Sequence, residues 1–181
     1  MKLEESFTNP EEIFGPKTKI LNLKRNQFVL EPNKTEMHIY YVISGSVASF
    51  IEKDGEEVCM AIHTKGNFFS EYSSFIAQTP SQSYSKTLQN CKLAAINYHI
   101  LQAAYDISKD HERKGRLVSE QLYQSLNKRV TDLLTLDAEA RYLKFIEERP
   151  DDILEIPLKY IASYLGMTPV SLSRIRKKIS N

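Results

Sequence analysis

The stretch "IPLKYIASYLGMTPVSLSRIRKKIS" (Ile156–Ser180) decides the architecture. Pro157 suits the first turn of a helix, where its missing N–H costs nothing. Ile161, Ala162 and Leu165 then fall on one face, and Gly166 stops the helix. Thr168 can cap a second helix with Pro169 at its first position. In that helix Leu172, Ile175 and Ile179 recur at steps of three and four and are predicted to face inward. Two helices crossing near a right angle need a small residue at closest approach, which Ala162 provides, and a turn that Gly166 permits. The spacing predicts a helix-turn-helix. An ordinary helical hairpin explains the apolar positions but not the cations. From Ile156 to Asn181 there are five cations (Lys159, Arg174, Arg176, Lys177, Lys178) and no acid, although the whole chain carries only +1. A phosphate-facing surface needs that local excess, while a solvated helix end also collects cations. The expected DNA-contacting set is Thr168, Pro169, Val170, Ser171, Ser173, Arg174, Lys177 and Lys178. Arg174 would pair with guanine, Val170 would meet a thymine methyl, and Thr168 with the helix amides would hold phosphate.

Upstream, three regions follow one another: 1–109, 110–136 and 137–181. The first reads as short strands between turns. "IYYVI" (Ile39–Ile43), "VASFI" (Val47–Ile51), "VCMAI" (Val58–Ile62) and "CKLAAI" (Cys91–Ile96) are strand-like, with Asp54-Gly55 and Gly66-Asn67 as turns. Many short strands at this spacing predict a jelly roll, so the fold class is α+β. The second region is a long helix, about Asp110 to Leu134, whose only glycine is Gly115. Its stripe of Leu117, Val118, Leu122, Leu126, Val130, Leu133 and Leu134 can pack on the roll or pair with its own copy. Pairing is preferred, with Leu117, Val118, Leu122, Leu126, Val130 and Leu133 as the dimer residues. Asp137 is read as the cap of a fresh helix ended by Arg149-Pro150-Asp151.

Composition adds exclusions. With 41% hydrophobic and 26% charged residues, the chain is ordinary for a globular protein. Cys59 and Cys91 stand isolated, as expected of buried thiols in a reducing compartment. The opening "MKLEESFTNPEE" lacks the apolar core of a signal peptide, and no run is long enough to span a bilayer. A cytoplasmic protein is the expectation.

The order of β-roll, long helix and helix-turn-helix resembles the Crp/Fnr family of bacterial transcription regulators. The resemblance is carried by "YYVISGSVASFIEKDGEE", "GNFFSEYSSF", "LTLDAEARYL" and "IASYLGMTPVSLSRIRKKI", and it is nearest to Crp-like regulators of the Bacteroidetes type. It implies a homodimer on a pseudo-palindromic DNA site, an effector pocket in each roll, and RNA polymerase as a further partner. The stretch Lys65–Thr87, "KGNFFSEYSSFIAQTPSQSYSKT", then takes the place of a cyclic-nucleotide cassette, with Gly66, Phe69, Ser70, Glu71, Ser81, Gln82, Ser83, Leu126 and Asn127 as the pocket. Glu71 matches the family's ribose-binding glutamate, whereas Ser70 replaces the preceding glycine. The phosphate-gripping arginine falls near Ser81, and no arginine occurs from Lys34 to Glu112. Lys86 is nearby but lacks the forked geometry of arginine. Leu126 and Asn127 stand where a threonine-serine pair would meet adenine. A buried phosphate without a cationic partner loses its main compensation, so the expectation is no cyclic AMP and no resident cofactor or metal. The sequence stops at Asn181, so a full wing after the recognition helix is not expected, and the small domain from Asp137 is expected to lean on the long helix.

Two alternatives stay open. Jelly rolls also host cupin metalloenzymes, but those need converging histidines, and His38, His63, His99 and His111 form no HxH pair. The chain is therefore expected not to be an enzyme. The other alternative is a dimeric scaffold whose basic helix binds protein, which salt-dependent binding to DNA would separate from a regulator.

Overall fold

The computed structural model describes residues 17–179. The expectations drawn from the first residues, and from Ser180 and Asn181, lie outside the described residues.

Eight strands make two facing four-stranded sheets: β1 (Lys19–Leu23), β2 (Phe28–Leu30), β3 (His38–Ser44), β4 (Ser46–Lys53), β5 (Glu56–Thr64), β6 (Phe68–Phe69), β7 (Tyr84–Thr87) and β8 (Cys91–Asn97). One sheet has the order β1-β8-β3-β6 and the other β2-β7-β4-β5, with all pairings antiparallel. The four strands read from the sequence are β3, β4, β5 and β8. The shorter β1, β2, β6 and β7 carry too few residues for a period-2 pattern to register. Asp54 and Gly55 both adopt positive φ, as a two-residue hairpin turn between β4 and β5 requires.

The helices follow the same chain order: α1 (Tyr72–Ala77), α2 (Tyr98–Ile107), α3 (Lys109–Thr135), α4 (Ala138–Glu148), α5 (Asp152–Glu155), α6 (Leu158–Tyr164) and α7 (Pro169–Ile179). Ser108 caps α3 and Asp137 caps α4, its carboxylate accepting the Ala140 N–H at 2.8 Å. Gly115 lets α2 approach α3, because a Cβ there would overlap the Tyr105 ring.

Burial shows how the layers stack. In β4, Ser46 to Phe50 are all buried, with no exposed alternate. Val47 points into the roll against Tyr40, Phe69 and Leu93. Ala48 and Phe50 point the other way and share a core with Tyr142, Phe145, Ile156, Ile161, Ala162, Leu165 and Leu172 of the C-terminal helices. On the opposite sheet, Ile39 and Ile96 pack outward on Phe75, Leu101 and Val118. Each sheet is thus covered on both faces, which erases the alternation expected of a half-buried strand.

β5 is the outer strand of its sheet, and its open edge is closed by the C-terminal helices. The Cys59 N–H donates to Ser163 Oγ at 2.8 Å, and the Cys59 carbonyl accepts from Arg129 at 3.3 Å. Arg149 donates to the Ile62 carbonyl at 3.1 Å while it ion-pairs with buried Asp152 at 2.5 Å. The third region leans on α3 as expected, through Lys144–Asp132 at 2.6 Å and Lys128–Glu148 at 2.5 Å. Its larger support is the roll.

A shared core makes the roll and the C-terminal helices one cooperative unit. Ile161→Ala, at a fully buried position, is expected to cost roughly 2–5 kcal/mol. Amide exchange under urea checks the coupling: β5 and α7 should lose protection in the same transition.

Candidate functional site

The C-terminal module is the first candidate. Gly166 has φ +66, a left-handed turn in which a side chain would also meet Leu133. Thr168 Oγ1 accepts the Ser171 N–H at 3.1 Å and lies 2.9 Å from the Ser171 hydroxyl, so it caps α7. Ile161 and Ala162 are completely buried, and Leu172 nearly so. Ile175 is half-buried against the same cluster. Ile179 does not face inward: it is exposed, because the last turn of α7 runs past the side chains that hold Leu172.

The expected contact residues lie largely on the open side. Pro169, Val170, Ser173, Arg174 and Lys177 are exposed, as is Thr168, while Ser171 is half-buried by its role in the cap. Lys178 is exposed but held by Glu139 of α4 at 2.6 Å, which raises the lysine pKa through hydrogen bonding and charge. Thr168 and Lys178 therefore already have partners within the chain.

The second candidate is the interior of the roll. Glu71 stands at the N-cap position of α1, and its carboxylate accepts the Ser85 hydroxyl at 3.2 Å. Ser85 Oγ lies 3.0 Å from Ser49 Oγ, and Ser49 Oγ lies 3.4 Å from His63 Nε2. Each hydroxyl has one hydrogen, so the direction is set once Ser85 donates to the carboxylate. Ser49 donates to Ser85, and His63 donates through Nε2–H. Desolvation holds His63 neutral, its pKa pushed down to about 3, with the Arg149 charge adding to the effect. Its ring stacks on Phe69 at 4.6 Å, and Phe69 stacks in turn on Tyr40 at 4.9 Å.

The remaining pocket residues are dispersed. Phe69 is core, fully enclosed by this stack. Ser70 donates to the His38 carbonyl at 2.9 Å. Ser81 is tied by backbone bonds to Asn33 and Lys34 and accepts the Ser83 N–H at 3.0 Å. Gln82 is exposed, and Gly66, at φ +90, turns β5 into β6. Lys86 is no substitute for the missing arginine. It lies on the opposite face of β7 from Ser85, ion-paired with Glu57 and 5.0 Å from the Phe50 ring centroid.

The stripe on α3 divides into two sets. Val118 is fully buried within its own chain against the roll, so it is core rather than seam; Leu122 packs on the same cluster. Leu117 and Leu133 are half-buried. Tyr123, Leu126, Val130 and Leu134 stay exposed, Leu126 at 58% and Leu134 at 80%. Leu126 and Asn127 thus stand exposed between two α3 contacts with the roll, Leu122 and Arg129.

Sequence reasoning missed Glu36, Ser49 and Ser85 as interior polar residues. A usable signal existed: His38 and Tyr40 alternate at period 2 on one face of β3, and Glu36 stands two residues before them. Among the described residues, no three His, Cys, Asp or Glu side chains converge as metal ligands, and no helix is long and apolar enough to cross a membrane.

Comparison with known proteins agrees with this architecture. Residues 20–108 match the cyclic nucleotide-binding domain. The CRP-like protein Clp of Xanthomonas campestris pv. campestris (strain B100) is 27% identical, over 83% of this chain and 73% of its own length. FixK2 from Bradyrhizobium japonicum superposes with a TM-score of 0.77 at 17% identity, covering 90% of this chain and 84% of FixK2. The c-di-GMP-responsive global regulator CLP of Xanthomonas campestris superposes with a TM-score of 0.69 at 22% identity, covering 90% and 86%. With a cyclic nucleotide-binding-type roll, a long helix and a helix-turn-helix in one chain, the protein is similar along most of its length to Crp-like regulators.

Proposed function

We propose that the chain works as a homodimeric, sequence-specific DNA-binding regulator that does not respond to cyclic AMP. The observation that carries the DNA reading is the outward face of α7. Val170, Ser173, Arg174 and Lys177 are exposed on a helix whose start is capped and whose inner face is locked by Leu172. A helix presented this way fits the major groove, with its N-terminal residues at base edges. Arg174 is the base reader and Lys177 the phosphate contact. Lys178 joins only by leaving Glu139, a surface pair of small net worth.

Dimerisation is supported by the exposed row Tyr123, Leu126, Val130 and Leu134, spaced at steps of three and four on α3. Pairing there sets two recognition helices for half-sites about one helical turn apart.

The reading against cyclic AMP rests on charge. The polar groups around Glu71 are hydroxyls, a neutral imidazole and a second carboxylate, Glu36, and Lys86 is turned away. A cyclic phosphate would enter a site without a compensating cation.

Arg174→Ala should weaken binding to the preferred site by roughly 1–3 kcal/mol and relax one base position. Lys177→Ala should weaken all sequences alike and lower the salt slope by about 1. Fluorescence anisotropy over a salt series checks both, and an equal loss on every sequence for Arg174→Ala would make it a phosphate contact. Val130→Glu should convert dimer to monomer in sedimentation velocity without lowering helix content. Titration calorimetry with cyclic AMP should give no saturable heat.

A further inference from the structure

Glu36 is a buried carboxylic acid with no role in the regulator just described. It is 1% exposed. Its Oε1 accepts the His38 N–H at 2.9 Å and the Tyr40 hydroxyl at 3.2 Å. Glu71, at the N-cap of α1, acts on the carboxylate through its charge. The Glu36 backbone is fastened to α1 as well: its N–H donates to Ser74 Oγ at 3.0 Å, and its carbonyl accepts from Gln78 Nε2 at 3.4 Å. α1 in turn touches α3 through Tyr72, whose hydroxyl donates to Ser119 Oγ at 2.5 Å, since Ser119 spends its own hydrogen on the Gly115 carbonyl.

The charges acting on Glu36 are unfavourable to its ionised form. From the approach to α1 comes the Glu71 carboxylate, which repels it. From β3 come the Tyr40 phenol, whose own ionisation is suppressed by burial and by Glu36, and His38, whose pKa is lowered by burial and by the charge of Lys19 of β1. From α1 come Ser74 and Gln78, which are neutral. A buried carboxylate held by neutral donors alone is compensated only in part.

We propose that Glu36 is a proton-binding site whose ionisation loosens the seat of α1 and, through Tyr72 and Ser119, its hold on α3. Desolvation and the Glu71 charge raise the pKa to about 7, from 4.5 in an open chain. A raised value means that the folded arrangement binds the proton more tightly than the open one. Its contribution to stability is complete below about 4.5, falls as pH climbs toward 7, and levels off above.

The test is amide hydrogen exchange of residues 72–78 from pH 5 to 8, corrected for the intrinsic rate. In the native sequence, opening should rise by up to roughly tenfold per pH unit and flatten near pH 7. Glu36→Gln should give a flat profile over this range. Glu71→Gln, which removes the repelling charge, should shift the flattening to lower pH. A carboxyl-carbon NMR titration of the native protein reads the Glu36 midpoint directly, so the proposal stays exposed even if Glu36→Gln fails to fold. A flat native profile, a native-like profile in Glu36→Gln, or a midpoint near that of an exposed carboxylate overturns it. None of these readouts involves DNA, so their failure is separable from failure of the DNA-binding reading.

Discussion

The structure depends on one contact: helix α6 laid against the outer strand β5. An edge strand offers unpaired N–H and carbonyl groups that invite another chain. Here Ser163 and Arg129 close that edge at Cys59, and Arg149 closes it at the Ile62 carbonyl. The same contact gives a module of about 45 residues, too small to bury a sufficient core alone, the apolar surface of Ala48, Phe50 and Ile62. Arg129 also donates to the Tyr164 carbonyl at 3.0 Å and lies 4.9 Å from the Tyr164 ring centroid, so α3, β5 and α6 meet at one guanidinium. The position of α7, and hence the direction in which Arg174 points, follows from this junction.

Charge inside the roll is the second constraint. Around Glu71 and α1 the interior is lined by acids, hydroxyls and the His63 imidazole. Glu71 ends a chain of donors that begins at His63, and Glu36 ties α1 to the start of β3. An interior of acids and hydroxyls weighs against an anionic ligand and for the proton we propose on Glu36.

Some of this was legible in the residues themselves. The helix-turn-helix was, because Pro157, Gly166, Thr168 and Pro169 act through local backbone geometry that needs no tertiary partner. The hairpin at Asp54-Gly55 and the length of α3 were legible for the same reason. The strands β1, β2, β6 and β7 were not, since a strand of two to five residues is defined by its neighbours. The α3 stripe showed its periodicity but not its division. Val118 and Leu126 look alike in the sequence, yet the first is enclosed by Phe75 and Leu101 and the second is bare. Ile179 carried the right spacing, yet it is exposed.

The sequence by itself determined the order of the modules, the turn between the two helices of the helix-turn-helix and the missing arginine, because each is a property of neighbouring residues or of composition. Only the tertiary structure decided that Lys86 faces away from Glu71, that Lys178 is held by Glu139, and that Glu36 is buried beside a second carboxylate. Those facts rest on which face of a strand or helix meets which neighbour, and long-range packing sets that choice.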